Sequence, residues 1–134
     1  MSSIAKRVMI VEDDMLLSMV EERLIRRLGF DVVGKLTRGE DVSNKICEHK
    51  PDILIMDIQL AGKMDGIDAV REARKTYKNI PVIFLSGSRN VDLLDRAKRV
   101  GYSDYLVKPV NADDLASPLA KAARASGSPT FEAA

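Results

Sequence analysis

The sequence predicts an α/β fold, a doubly wound five-stranded parallel sheet with helices on both faces, from three observations. Short apolar runs recur at residues 8–11, 53–56 and 80–85, the mark of strands buried on both faces of a parallel sheet. Stretches with apolar residues three and four positions apart lie between them, which is helical spacing. The runs end on polar groups, Glu12-Asp13, Asp57 and Ser86. These would meet at the carboxyl edge of the sheet, where diverging loops leave a crevice.

The first run, Val8-Met9-Ile10-Val11, leads directly into Glu12-Asp13-Asp14, with Asp14 suited to cap the next helix. From Met15 to Leu28 the residues Leu17, Val20, Leu24 and Leu28 predict a helix with that face inward. Glu21, Glu22, Arg23, Arg26 and Arg27 are expected on its water face, and Gly29 ends it. Residues 30–36 read as an edge strand broken by Gly34 and Lys35. A second helix is expected from about Gly39 to His49, with Val42 and Ile46 inward, and Pro51 cannot continue it.

The central strand, residues 53–57, delivers Asp57 to its carboxyl end. A loop over 59–64 follows, and Asp65, with Asp68 three residues on, has the pattern of an N-cap opening a third helix. The run 80–85 leads to Ser86-Gly87-Ser88. A fourth helix spans about 90–100, with Val91, Leu94 and Ala97 inward and Gly101 at its end. Residues 102–107 form the fifth strand, Lys108-Pro109 follows, and Asn111 caps a last helix. The domain is expected over 6–124, with 125–134 a flexible tail or truncated linker.

At 134 residues the chain has the length of one domain, and 46% apolar with 31% charged residues is the composition of a folded protein. A formal net charge of +1 suggests neither direct nucleic-acid nor membrane binding. One cysteine and one histidine exclude a disulfide framework and a zinc site. Cys47 reads as a small buried residue and His49 as a helix-end cation, not a phosphodonor. No apolar run is long enough for a signal-peptide core or a membrane span, so a cytoplasmic protein is expected.

Four strand ends carry complementary chemistry: Glu12-Asp13, Asp57, Ser86 and Lys108. Singly, each has a plain structural role as helix cap, turn residue or solvated charge. Together, three crowded carboxylates would repel one another unless a cation joined them. Mg²⁺ (or Mn²⁺) fits, with Asp13 and Asp57 as direct ligands and Glu12 acting directly or through water. With Lys108 and Ser86 alongside, Asp57 becomes a candidate nucleophile for phosphoryl transfer, which depends mainly on positioning and charge neutralisation.

The segments Val8-Met9-Ile10-Val11-Glu12-Asp13-Asp14, Ile53-Leu54-Ile55-Met56-Asp57, Met64-Asp65-Gly66, Phe84-Leu85-Ser86-Gly87 and Tyr105-Leu106-Val107-Lys108-Pro109 resemble the signature segments of response-regulator receiver domains. The resemblance covers about residues 6 to 124 and implies the flavodoxin-like strand order 2-1-3-4-5. It implies that Asp57 is the phosphoacceptor, that Glu12 and Asp13 form the metal pocket with the backbone carbonyl of Gln59, and that Lys108 pairs with a phosphoryl oxygen. Ser86 matches the switch hydroxyl and Tyr105 the switch aromatic, although an ordinary edge-strand aromatic remains an alternative for Tyr105. Gln59 and Ser88 match the positions that modulate dephosphorylation, and Pro109 a proline usually preceded by a cis peptide. The implied partners are a histidine kinase or histidine phosphotransfer protein, a downstream protein target, and a second copy in a phosphorylation-dependent homodimer.

Departures from the family pattern are specific. Ala61 stands where many receivers have proline, and Lys63 is an additional residue before Met64-Asp65-Gly66, so a looser or reshaped metal-side loop is expected. Pro118 falls inside the last helix, which should either kink there or restart with Ser117 as a cap. The motifs fit a free-standing receiver or one excised from a hybrid kinase or multidomain regulator. A small Mg²⁺-dependent aspartyl-phosphate phosphatase would want an acid two residues beyond the nucleophile, where Gln59 stands. A flavin module would want a phosphate-cradling loop where Glu12-Asp13-Asp14 stands.

Overall fold

The structure, a computed structural model, describes residues 5–126. Its elements are β1 (Arg7–Val11), α1 (Met15–Arg27), β2 (Asp31–Leu36), a 3-10 turn (Gly39–Asp41), α2 (Val42–His49), β3 (Ile53–Asp57), α3 (Gly66–Ala73), β4 (Val82–Ser86), α4 (Val91–Val100), β5 (Asp104–Val107) and α5 (Ala112–Ala125). All four strand pairings are parallel, in the order β2-β1-β3-β4-β5.

Alternation along the inner strands divides the core in two. Met9, Val11, Leu54, Met56, Val82 and Phe84 face α2, α3 and α4. Val8, Ile10, Ile53, Ile55, Ile83 and Leu85 face α1 and α5, as the two-residue period of a strand requires. All five residues of β3 are buried, and each enclosed Ile, Leu or Met contributes about 1.5–3 kcal/mol. Central position and two packed faces make β3 the stiffest support the chain offers its last residue, Asp57.

Caps set the helix starts. Asp14 accepts the N–H groups of Leu16 and Leu17 at 2.9 and 3.0 Å. Asp65 and Asp68 form a capping box, as do Asn111 and Asp114. Arg96 of α4 reaches Asp65 at 2.8 Å and Asp68 at 3.0 Å, tying α4 to the start of α3. Burial opposes ionisation of Asp65, but its hydrogen bonds from Arg96 and the Asp68 N–H prevail and lower its pKa.

Several expectations require correction. The buried stripe of α1 is Ser18, Glu21 and Ile25, while Val20, expected inward, is 44% exposed. Leu24 and Leu28 of the expected stripe do pack against the core cluster that holds Ile25 with Leu115 and Leu119 of α5, so the covered side is turned by part of a helical turn from the expected one and leaves Val20 outside it. Ala97 of α4 is buried as expected, but Val91 is 69% exposed, and Leu93 and Val100 join Ala97 against the core. Cys47 is exposed, because α2 buries Val42 and Ile46 and the next residue turns about 100° away.

Helix α5 continues through Pro118, which is buried, so Ser117 starts no fresh segment. Ala125 is the last helical residue and Ser126 is buried, its Oγ donating to the Ala123 carbonyl at 3.0 Å. Residues 127–134 of the expected tail lie outside the described residues.

The lengthened loop after β3 is pinned. Gly62 adopts a φ of +101°, where a side chain would also crowd the Glu40 carboxylate. Glu40 accepts the Lys63 N–H at 3.3 Å. Gly66 closes the loop by donating to the Ile58 carbonyl at 2.8 Å, and a Cβ there would collide with the Asp57 carbonyl oxygen. Gly66→Ala should accordingly cost about 1–3 kcal/mol, seen as a lower urea midpoint with an unchanged m-value; an unaltered midpoint would contradict the close approach.

Candidate functional site

Strand register brings the candidate residues level. Val11 pairs with Met56 and Asp57 with Leu85, so Glu12 emerges beside Asp57. Ser86 pairs with Val107, so Lys108 leaves β5 one step beyond Ser86. The chain leaves β1 toward β2 and returns to β3 on the other side. This reversal opens the crevice between the carboxyl ends of β1 and β3.

Asp57 and Glu12 are each 1% exposed. Carboxylate oxygens of Glu12, Asp13 and Asp57 lie within 4.8 Å of one another and could hold a metal ion. Lys108 Nζ donates to Asp57 Oδ1 at 3.0 Å and to Glu12 Oε1 at 3.3 Å. Glu12 Oε2 also accepts the Asp14 N–H at 3.2 Å, and Asp13 Oδ2 accepts the Ala61 N–H at 3.1 Å. The donor set is hard oxygen, partly shielded from water, and suits Mg²⁺ or Mn²⁺ better than a soft metal.

Burial, reinforced by the charge of Glu12 and opposed by Lys108, pushes the Asp57 carboxyl up to about 7. Burial also disfavours the charged form of Lys108, but its hydrogen bond to Asp57 and the charges of Asp57 and Glu12 prevail and raise the ammonium above its ordinary value. One lysine thus faces more negative charge than it can balance.

A fourth carboxyl joins this group. Glu21, expected in water, is 3% exposed, and its Oε1 has no hydrogen-bond partner. Burial first, then the charge of Glu12, raise it to about 8. Sequence spacing holds a signal for it, since Ser18, Glu21 and Ile25 also recur at helical steps, but the acidic residue at the centre disguises that stripe as a water face.

On the opposite side, Ser86 is fully buried. Its Oγ donates to Gln59 Oε1 at 3.1 Å and accepts the Ser88 N–H at 3.1 Å. Gly87 N–H reaches the same Gln59 oxygen at 3.3 Å. Tyr105 is half-buried, packed against Tyr102 with ring centroids 5.9 Å apart, and its hydroxyl donates to the Ser88 carbonyl at 3.0 Å. The Lys108-Pro109 peptide is cis. His49 lies away from this group, against Gly34, where a Cβ would come within 2.8 Å of its ring.

Residues 8–120 match the response regulator receiver domain family. The chain is 34% identical to the chemotaxis protein CheY of Thermotoga maritima, over 89% of this chain and 98% of that one. It is also 34% identical to the transcriptional regulatory protein PdtaR of Mycobacterium tuberculosis, over 85% of this chain and 55% of that protein, so it spans about half of that relative. Among solved structures, the signal receiver domain of a modulated diguanylate cyclase from Desulfovibrio desulfuricans superposes with a TM-score of 0.84 at 34% identity, covering 92% of this chain and 97% of that one. A match running from the second residue of β1 into α5, with a similar fold and a relative covered almost end to end, makes this chain a member of the response regulator receiver family.

Proposed function

We propose that the chain is the phosphoacceptor receiver of a two-component His-Asp phosphorelay, in which Mg²⁺-dependent (or Mn²⁺-dependent) phosphorylation of Asp57 drives a conformational switch that alters partner binding. The supporting observation is the setting of Asp57: a buried carboxylate ending the central strand, 3.0 Å from Lys108 Nζ and clustered with Glu12 and Asp13. In this reading Asp57 attacks the phosphorus of a phosphohistidine. A P–O bond forms as the P–N bond breaks, and the imidazole leaves with the electron pair.

Lys108 stays paired with the charge as it spreads onto the phosphoryl oxygens. A divalent ion held by Glu12, Asp13, Asp57 and the Gln59 backbone carbonyl would supply the remaining positive charge. Ser86 and Tyr105 form the switch, and Gln59 and Ser88 modulate the attack of water that returns Asp57 and inorganic phosphate. The chain then catalyses only its own phosphorylation and dephosphorylation. The phosphatase alternative lacks an acid at Gln59, whose side chain is engaged with Ser86 and Gly87.

A histidine kinase or histidine phosphotransfer protein is the donor in this proposal, and a downstream protein or a phosphorylated second copy receives the signal. A protein donor is supported by the exposed apolar strip Met15, Leu16, Met19 and Val20, which begins one residue past the Asp14 cap. A cytoplasmic location, without direct nucleic-acid or membrane binding, completes the proposal. No helix among the described residues is long and apolar enough to cross a membrane.

Incubation with acetyl phosphate and Mg²⁺ should add one phosphoryl group to the intact mass. Chelation and Asp57→Ala should each abolish the gain; a mass that never rises, or rises equally in Asp57→Ala, refutes Asp57 as acceptor.

The buried acids also set a pH dependence. Asp57 at about 7 and Glu21 at about 8 lie well above their ordinary values of 3.8 and 4.5. Between those limits the folded state binds more protons than the unfolded chain, so metal-free stability should fall as pH rises from about 5 to about 8. The raised ammonium of Lys108 remains protonated across this window and leaves the sign unchanged. Asp57→Asn and Glu21→Gln should each flatten the slope, and Mg²⁺ at pH 8 should restore stability by binding the folded carboxylates. Urea midpoints measured in chelator provide the check, and a midpoint that climbs toward pH 8 would contradict it.

A further inference from the structure

The hydroxyl proton of Ser86 is already committed. Ser86 Oγ donates to Gln59 Oε1 at 3.1 Å while accepting the Ser88 N–H at 3.1 Å. The same Gln59 oxygen is held from a second side by the Gly87 N–H at 3.3 Å. One side-chain amide therefore joins the loop after β3 to the loop after β4. Tyr105 extends the chain of contacts by donating to the Ser88 carbonyl at 3.0 Å.

A serine hydroxyl has one proton to donate, and an ionised phosphoryl group on Asp57 would offer it acceptor oxygens. Ser86 cannot give that proton fully to Gln59 and to the phosphoryl group at once. We infer that the Gln59 side chain is a latch on Ser86: it accepts the hydroxyl proton and the Gly87 N–H, holds the β4–α4 loop in its unphosphorylated arrangement, and sets how readily Ser86 turns to a phosphorylated Asp57. The inference rests on Asp57 as phosphoacceptor, and it makes Gln59 a positioning residue acting through Ser86.

The exposure of Gln59 matters to this role. When Ser86 leaves, water can take its place on the amide oxygen, so release strands no buried acceptor. A buried acceptor would have to lose its partner without replacement, at a much larger cost. The Gln59 contact is therefore strong enough to bias the loop and weak enough to be broken by a charged competitor.

A double-mutant cycle tests the latch. Gln59→Met removes the acceptor at similar length, and Ser86→Ala removes the proton it holds. The probe is beryllofluoride with Mg²⁺, a phosphoryl mimic whose fluorines only accept hydrogen bonds. Gln59→Met should bind it about 2- to 10-fold more tightly than the parent, the range for one neutral hydrogen bond. In the Ser86→Ala background the same substitution should change affinity less than about twofold. No gain in the single variant, or an equal gain in both backgrounds, overturns the latch.

Amide hydrogen exchange at Ser88, measured without metal or beryllofluoride, gives an independent readout. It should accelerate in Gln59→Met, because Ser86 Oγ is no longer held, and Gln59→Met should add nothing in Ser86→Ala. Failure of the parent to bind beryllofluoride would refute the phosphoacceptor reading, while Ser88 exchange would still decide the latch: an unchanged rate overturns it.

Discussion

The molecule is organised by an imbalance of buried charge. At the carboxyl end of the sheet, Glu12, Asp57 and Glu21 are almost fully enclosed, with Asp13 at their edge, and Lys108 is the cation that reaches Glu12 and Asp57. Separating carboxylates from water costs several kcal/mol per charge unless partners replace it. The raised carboxyls of Asp57 and Glu21 are the local sign of that cost. Such an arrangement has an unmet demand for positive charge, and the fold maintains it by spending the stability of a well-packed core.

The sheet explains why the strain does not simply relax. Asp57 is carried by a strand buried on both faces, and Gly66 brings the following loop against its backbone carbonyl. Backing away would disturb the apolar layers on both sides of the sheet. On the other side of the pocket, Ser86 and Tyr105 depend on hydrogen bonds to exposed or half-buried partners. Those contacts can be exchanged with water at little cost. Rigidity is therefore concentrated at the acid and adaptability at the hydroxyl.

The legible parts of the sequence were those governed by local chemistry. Apolar runs identify the inner strands because both faces of β1, β3 and β4 are covered; Asp14, Asp65 and Asn111 identify helix starts because caps act over three residues. Strand termini then bring Glu12, Asp13, Asp57, Ser86 and Lys108 together through register alone. Helix phase was less legible. Glu21 is buried and Val20 exposed because the covered side of α1 is set by distant partners: Glu21 meets Glu12, Asp57 and Lys108 at the strand ends, and Ile25 shares a core cluster with Leu115 and Leu119 of α5. Cys47 and Val91 depart from expectation because the inward sides of α2 and α4 are likewise set by packing, here against the opposite face of the sheet. The bond from Gln59 to Ser86 joins residues 27 apart in sequence, and no spacing rule encodes which way a glutamine side chain turns.

Ala61 shows how a backbone atom can be the functional part of a residue. Its N–H donates to Asp13 Oδ2 at 3.1 Å, a bond that proline, the residue many receivers carry at this position, has no hydrogen to make. Departure from proline therefore supplies a donor as well as removing a constraint on φ. The additional Lys63 lies two residues on, with its own N–H held by Glu40, so the longer loop is fastened to an acid at each of two points. Transplanting the shorter, proline-bearing loop into this chain would exchange two backbone tethers for ring stiffness, and would leave Asp13 without the loop donor that orients its carboxylate.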